Sequence, residues 1–190
     1  DGDALRRARP DLIVTQALCE VCAIDEQTVL ASIRHLSPQP EILSLHPHTL
    51  QEVLEDIHLL GRATGRTAEA ERVVAACRAR IERVRSRLAG AAPRPRVCCL
   101  EWLHPPMAPG HWVPEMVELA GGREGLGRAG APSRYVAWDE VVAARPEILI
   151  LMPCGFPIER TRRELALLTA RPGWEALPAV GSGRVHLVDG

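Results

Sequence analysis

The stretch Ala8-Arg9-Pro10-Asp11-Leu12-Ile13-Val14 and its partner far downstream, Ala144-Arg145-Pro146-Glu147-Ile148-Leu149-Ile150, decide the fold. In each, proline ends a helix, because its ring and missing N–H cannot continue the helical ladder. An acidic residue and a continuous aliphatic run follow. A run without polar alternation suits a strand buried on both faces, as in a parallel sheet covered by helices. Asp3 and Asp139 stand at the same distance upstream of the two copies. Each strand leads into a cysteine-containing loop and then a helix. The shared context points to a duplication, and so to two similar α/β lobes. The second copy is preceded by a strand at Val97–Leu100, a loop and a helix at Val113–Ala120; nothing precedes Asp3. The first lobe is therefore expected to be incomplete, its opening strand and helix encoded upstream.

Between the copies, a helix is expected from Glu26 to Leu36 and a second strand at Glu41–Leu45, ending in His46-Pro47-His48. Thr49 and Glu52 form a capping box. Leu50, Val53, Leu54, Ile57 and Leu60 give the helix behind it one apolar face, and Gly61 and Gly65 mark its end. The longest helix is predicted over Thr67–Leu88, with an apolar stripe of Val73, Cys77, Ile81, Val84 and Leu88. At 1.5 Å per residue it spans about 30 Å, enough to join two lobes. The division is a partial N-terminal lobe over 1–66, a connecting helix over 67–92 and a C-terminal lobe over 93–190. Arg78, Arg80, Arg83, Arg85 and Arg87 spread around that helix among glutamates and read as a solvated surface.

Composition narrows the function. The chain of 190 residues has a formal net charge of −1, which gives no pull toward nucleic acid. All 23 basic residues are Arg, so a phosphate-loop lysine and a Schiff-base lysine are excluded. No apolar run approaches the length that spans a bilayer. The chain begins with Asp rather than Met, so an upstream segment is expected and export stays open. Six cysteines are too few for a disulfide scaffold. Cys77 reads as a helical core residue, and Cys98 and Cys99 as structural residues facing opposite sides of a strand.

Ligand sites in open α/β sheets lie in the loops after strands. Those loops are Cys19–Cys22, His46–His48, Glu101–Trp112 and Cys154–Phe156. The chain has four Trp, one Tyr and one Phe, and all lie between Trp102 and Trp174. Trp102, Trp112, Trp138 and Phe156 fall in or beside the strand-end loops and offer flat apolar walls. His104 and His111 flank a Pro-rich turn containing Met107; either imidazole suits a metal centre or an amide or carboxylate oxygen. Cys19, Glu20, His46, Cys154 and Gly155 complete the candidate lining. Cys19-Glu20-Val21-Cys22 is a lone C-x-x-C. It leaves two rivals open, a thiol oxidoreductase and a metal-binding protein, though no second C-x-x-C completes a zinc site. Gly125-x-Gly127-x-x-Gly130 follows a helix rather than a strand and is not a dinucleotide fingerprint. No cofactor is indicated.

RPDLIVTQALCEVCAI (Arg9–Ile24), EWLHPPMAPGHWVPEMVELAGG (Glu101–Gly122) and RPEILILMPCGF (Arg145–Phe156) resemble the cobalamin-type substrate-binding proteins of ABC importers, within the group that also serves ferric siderophores and haem. The resemblance covers nearly the whole chain. It implies two Rossmann-like lobes with parallel sheets joined by one long helix, and a ligand held in the cleft between them. It also implies modest closure, an extracytoplasmic location and delivery to a membrane permease. The loops it makes pocket-lining are Cys19–Cys22, Trp102–Trp112 and Cys154–Phe156. Those loops carry no Arg, which a highly anionic siderophore would want, and this favours a neutral, amide-rich corrinoid; a ferric siderophore or haem is the near rival.

Overall fold

The computed structural model describes residues 2–16, 31–33, 38–88 and 94–190. Most of the expected helix at Glu26–Leu36 lies outside them. The N-terminal lobe contains α1 (Gly2–Ala8), β1 (Leu12–Gln16), β2 (Glu41–Leu45) and α2 (Leu50–Ala63). β1 and β2 pair in parallel, Leu12 against Glu41 through Gln16 against Leu45. Thr49 caps α2 with the predicted box: its side chain accepts the Glu52 N–H, while the Glu52 carboxylate accepts the N–H groups of His48 and Thr49. Two of the donors that a helix start leaves orphaned are thereby satisfied.

α3 (Thr67–Arg87) is the connecting helix. Its buried residues are Ala70 and Val74, with Cys77 and Ile81 half-buried on the same side, whereas Val73 and Val84 are 48% and 41% exposed. The predicted stripe is thus turned by about one residue. The cause is close packing at Gly61, which lies inside α2 rather than ending it: a Cβ there would sit 2.4 Å from the Cβ of Ala70. Only a residue without a side chain lets the helices approach so closely, and that contact selects the face of α3 that is covered.

The C-terminal lobe is built on a parallel sheet of order β6-β3-β8-β9, formed by β3 (Arg96–Leu100), β6 (Arg123–Glu124), β8 (Ile148–Leu151) and β9 (Val185–Leu187). Leu100, Leu149 and Leu151 are fully buried. Cys98 faces a core shared with Val141, Leu168, Trp174 and Leu177, and Cys99 the smaller core under Val117. α4 (Val113–Leu119) covers the second face; α5 (Trp138–Ala144), α6 (Ile158–Glu164), α7 (Ala166–Thr169) and α8 (Pro178–Gly181) complete the lobe.

The repeat is visible in the backbone. α1 and α5 both end at Ala, and the next residue in each copy, Arg9 or Arg145, is left-handed, with φ of 46° and 47°. A left-handed Arg is uncommon. It recurs at matching positions, each directly before a proline that disfavours the right-handed α conformation for the preceding residue.

The Glu101–Trp112 segment is not an irregular loop. Trp102–Leu103 (β4) and Pro106–Ala108 (β5) form a tight hairpin turning at His104-Pro105, and Arg134–Tyr135 (β7) adds a third antiparallel strand. Two lobes with parallel sheets joined by a long helix are therefore the architecture, and this small sheet stands at the end of β3.

Candidate functional site

Directly opposed residues of an antiparallel pair share a face. Leu103 and Pro106 oppose each other and are buried, so their face is the core side. Trp102 opposes Met107, which opposes Tyr135; this row lies on the other face, Trp102 and Met107 half-buried and Tyr135 54% exposed. The wall continues from the end of β8. Phe156 is buried and meets Trp102 edge-on, with ring centroids 4.9 Å apart and an interplanar angle of 66°. The Cys154 N–H donates to the Glu101 carbonyl at 3.1 Å, tying the two strand-end segments together. Cys154 and Gly155 form the exposed turn beside the wall, Gly155 left-handed at φ 70°.

Arg160 from α6 and Arg171 from the bend just after α7 bring two guanidinium groups to this rim. The Arg160 guanidinium lies 3.5 Å from the centroid of Phe156, and its Nε donates to Glu164 at 2.9 Å. Arg171 Nη2 stands 2.6 Å from His104 Nδ1. A guanidinium can only donate, so this nitrogen accepts and the ring proton sits on Nε2. A protonated Nε2 cannot ligate a metal; His104 is a hydrogen-bond donor for an amide or carboxylate oxygen. Although the loops carry no Arg, two guanidinium groups stand beside them.

A second chain of contacts holds the His111 segment. The Ser133 hydroxyl donates to Glu101 Oε2 at 2.6 Å and accepts the Gly110 N–H at 3.1 Å. His111 is left-handed at φ 51°; its N–H donates to Ala131 O at 2.6 Å and its carbonyl accepts the Gly130 N–H at 2.9 Å. The glycine-rich stretch serves this contact: a Cβ at Gly127 would sit 2.2 Å from Pro109 O. Burial raises the pKa of Glu101 against the opposing Ser133 bond, with the Glu124 charge adding to the rise. Burial also raises that of Glu124, against hydrogen bonds from Leu126 and Gly127. The His111 pKa is lowered, first by burial and then by His48.

His48, at the end of the β2 segment, stands across the lobe boundary from His111, ring centroids 5.6 Å apart. The half-buried Trp112 is 5.9 Å from His111 on its other side. Beside them the Leu50 N–H donates to Glu115 Oε2 at 2.9 Å, so a carboxylate of one lobe caps the helix of the other. His46 lies exposed at the same end of β2. A groove of about 330 Å³ lies behind this contact, among α2, α3 and α4, with Leu50, Leu54, Ile81, Glu115 and Leu119 in its lining.

Cys19, Glu20 and Cys22 lie outside the described residues. Trp138 opens a helix, as expected, and packs mostly inward. Its indole is 8% exposed, stacks on Trp174 at 6.2 Å and donates from Nε1 to Pro172 O at 2.7 Å. Trp174 and Pro172 hold it in the core. Tyr135, Arg160 and Arg171 were missed. The Phe156–Arg160 spacing of a first helical turn could have signalled one of them; nothing local marks the others. Among the described residues no three His, Cys, Asp or Glu side chains converge as a metal site, and no helix is long and apolar enough to cross a membrane.

The chain resembles solved structures over nearly its whole length. An ABC transporter substrate-binding protein from Listeria monocytogenes superimposes with a TM-score of 0.78 at 19% identity, covering 100% of this chain and 71% of its own. For the haem-binding protein RhuT of Roseiflexus the values are 0.77, 22%, 100% and 70%. For the periplasmic vitamin B12 binding protein of Vibrio cholerae they are 0.68, 20%, 98% and 68%. No curated protein matches the sequence. The periplasmic binding protein family matches across residues 1–190. The chain therefore belongs to the periplasmic binding protein family, as a solute-binding protein and not as an enzyme.

Proposed function

We propose that the chain binds a corrinoid in the cleft between its lobes and presents it to a membrane permease. The observation that carries this is the wall at the ends of β3 and β8: Trp102 edge-on to Phe156, with Met107 and Tyr135 in the adjoining row. Such a wall suits a flat, bulky ligand, since aromatic faces bury much apolar area with little conformational entropy to lose. His104, held as a donor by Arg171, matches the amide oxygens around a corrin ring. His111, turned toward the other lobe, is the imidazole left to approach a metal centre. Cys154 and Gly155 would border the ligand from the C-terminal lobe, and Cys19, Glu20 and His46 from the N-terminal one.

A second reading has its own observation. Arg160 and Arg171 stand at the same rim and would pair with carboxylates, which favours haem or an anionic ferric siderophore. Affinity for cobalamin, hemin and a ferric siderophore, measured on the wild type and on Arg160→Gln, separates the two. A corrinoid receptor saturates with cobalamin and changes little in the variant; preference for hemin or the siderophore, lost in the variant, would establish the second reading instead. The family works outside the cytoplasm or anchored at the membrane, and that is where the chain is proposed to act.

A further inference from the structure

We propose that Glu101 is the positioning residue of the ligand wall, a role that rests on the reading of that wall as the solute site. Its N–H, its carbonyl and its carboxylate each hold a different segment, so this one residue sets where Trp102, Cys154 and His111 stand relative to one another.

Glu101 lies between β3 and β4, directly before Trp102. Its N–H donates to the Met107 carbonyl at 2.9 Å, which closes the hairpin carrying Trp102 and Met107. Its carbonyl accepts the Cys154 N–H at 3.1 Å, which ties in the turn before Phe156. Its carboxylate accepts the Ser133 hydroxyl at 2.6 Å, and the Ser133 oxygen accepts the Gly110 N–H at 3.1 Å. Gly110 directly precedes His111. The approach of Gly110 is close: a Cβ there would sit 2.3 Å from both the Ala131 carbonyl oxygen and the Ser133 nitrogen. A residue without a side chain is needed to bring this backbone within reach of the Ser133 hydroxyl.

Fold stability does not account for a carboxylate at this point. Burial raises the Glu101 pKa against the Ser133 bond, so the ionised group works against the fold. Ionisation does strengthen the link itself. A hydroxyl donating to a carboxylate makes a shorter and stronger bond than one donating to a neutral acceptor, and 2.6 Å is such a length. A group that costs stability while fixing the parts of a site is what a positioning role predicts.

Amide hydrogen exchange and binding, measured at pH 7 on the wild type and its variants, test the proposal. Glu101 reaches Gly110 only through Ser133. Glu101→Ala should nevertheless speed exchange at the Gly110 amide by about tenfold, and Glu101→Gln, which keeps an acceptor, should recover most of the protection. Affinity for cobalamin and for hemin should follow the same order. Whichever of the two saturates the wild type should bind about tenfold more weakly to Glu101→Ala and to Ser133→Ala, with most of the loss recovered in Glu101→Gln. The double variant should be no weaker than the weaker single, since both changes break one link. Circular dichroism checks folding; should Glu101→Ala not fold, Ser133→Ala cuts the same link from its other end. Unchanged Gly110 exchange in folded Glu101→Ala, or wild-type affinity in folded Ser133→Ala, would overturn the proposal. A wild type that saturates with neither probe would remove the corrinoid and haem readings, and the exchange rates would still decide whether Glu101 holds the His111 segment.

Discussion

Replacing Trp138 by Phe separates a core role from a pocket role. The phenyl ring keeps the stack on Trp174 but removes the Nε1–H that donates to Pro172 O at 2.7 Å. Leaving that carbonyl without its partner costs about 1–2 kcal/mol, and the smaller ring leaves a gap worth up to about 1 kcal/mol more. For a chain of this size about 2 kcal/mol corresponds to a melting shift of about 4–8 °C. Differential scanning calorimetry should record that drop. Affinity for the chelate that saturates the wild type should stay within about twofold, because the indole is 8% exposed and stacked on Trp174. Trp138→Ala should cost about 3–5 kcal/mol. An unchanged melting temperature combined with weakened binding in Trp138→Phe would refute the reasoning and return the indole to the pocket.

Trp102→Ala should weaken ligand binding by about tenfold or more, from lost burial of its ring; isothermal titration checks it. Glu115→Ala should cost about 1 kcal/mol by uncapping α2 and speed hydrogen exchange at the Leu50 amide, while Glu115→Gln keeps an acceptor and most of the protection. Burial raises the Glu101 pKa above its unfolded value of 4.5. Protonation of this group therefore favours the fold, a contribution present below 4.5 and lost as pH rises through the folded value. Glu101→Gln, still accepting from Ser133, should melt higher than wild type at pH 7, with the difference shrinking toward pH 4. Burial pushes the Cys98 thiol up to about 12 and raises Cys99 as well; neither should be alkylated in the native chain at pH 8, and both should react after unfolding.

The parts of the fold legible in the sequence are those set by near neighbours. The Ala-Arg-Pro ends of α1 and α5, the aliphatic runs behind them and the Thr49–Glu52 box each depend on residues within one turn or strand. What was not legible depends on partners distant in the chain. The face that α3 buries follows from Gly61 against Ala70. The hairpin at His104-Pro105 lacks an Asn-Gly or Asp-Gly turn and carries Pro106 in a strand, which sequence rules discourage. Trp138 looks like a loop-side aromatic until Trp174 and Pro172 are brought against it. The site divides in the same way. Its strand-end segments could be chosen from topology, but that Trp102 and Met107 would lie in the short strands β4 and β5 could not. Arg160 arrives from α6 and Arg171 from the bend after α7, and their contacts with Phe156 and His104 exist only once those segments pack.

Tryptophan fluorescence during titration with cobalamin, with hemin and a ferric siderophore run alongside and inner-filter absorption corrected, bears most directly on the proposed ligand. The account predicts saturable quenching by cobalamin, with Trp102→Phe removing a large share of the amplitude. Saturation by hemin or the siderophore but not by cobalamin, or quenching that Trp102→Phe leaves intact, would contradict it.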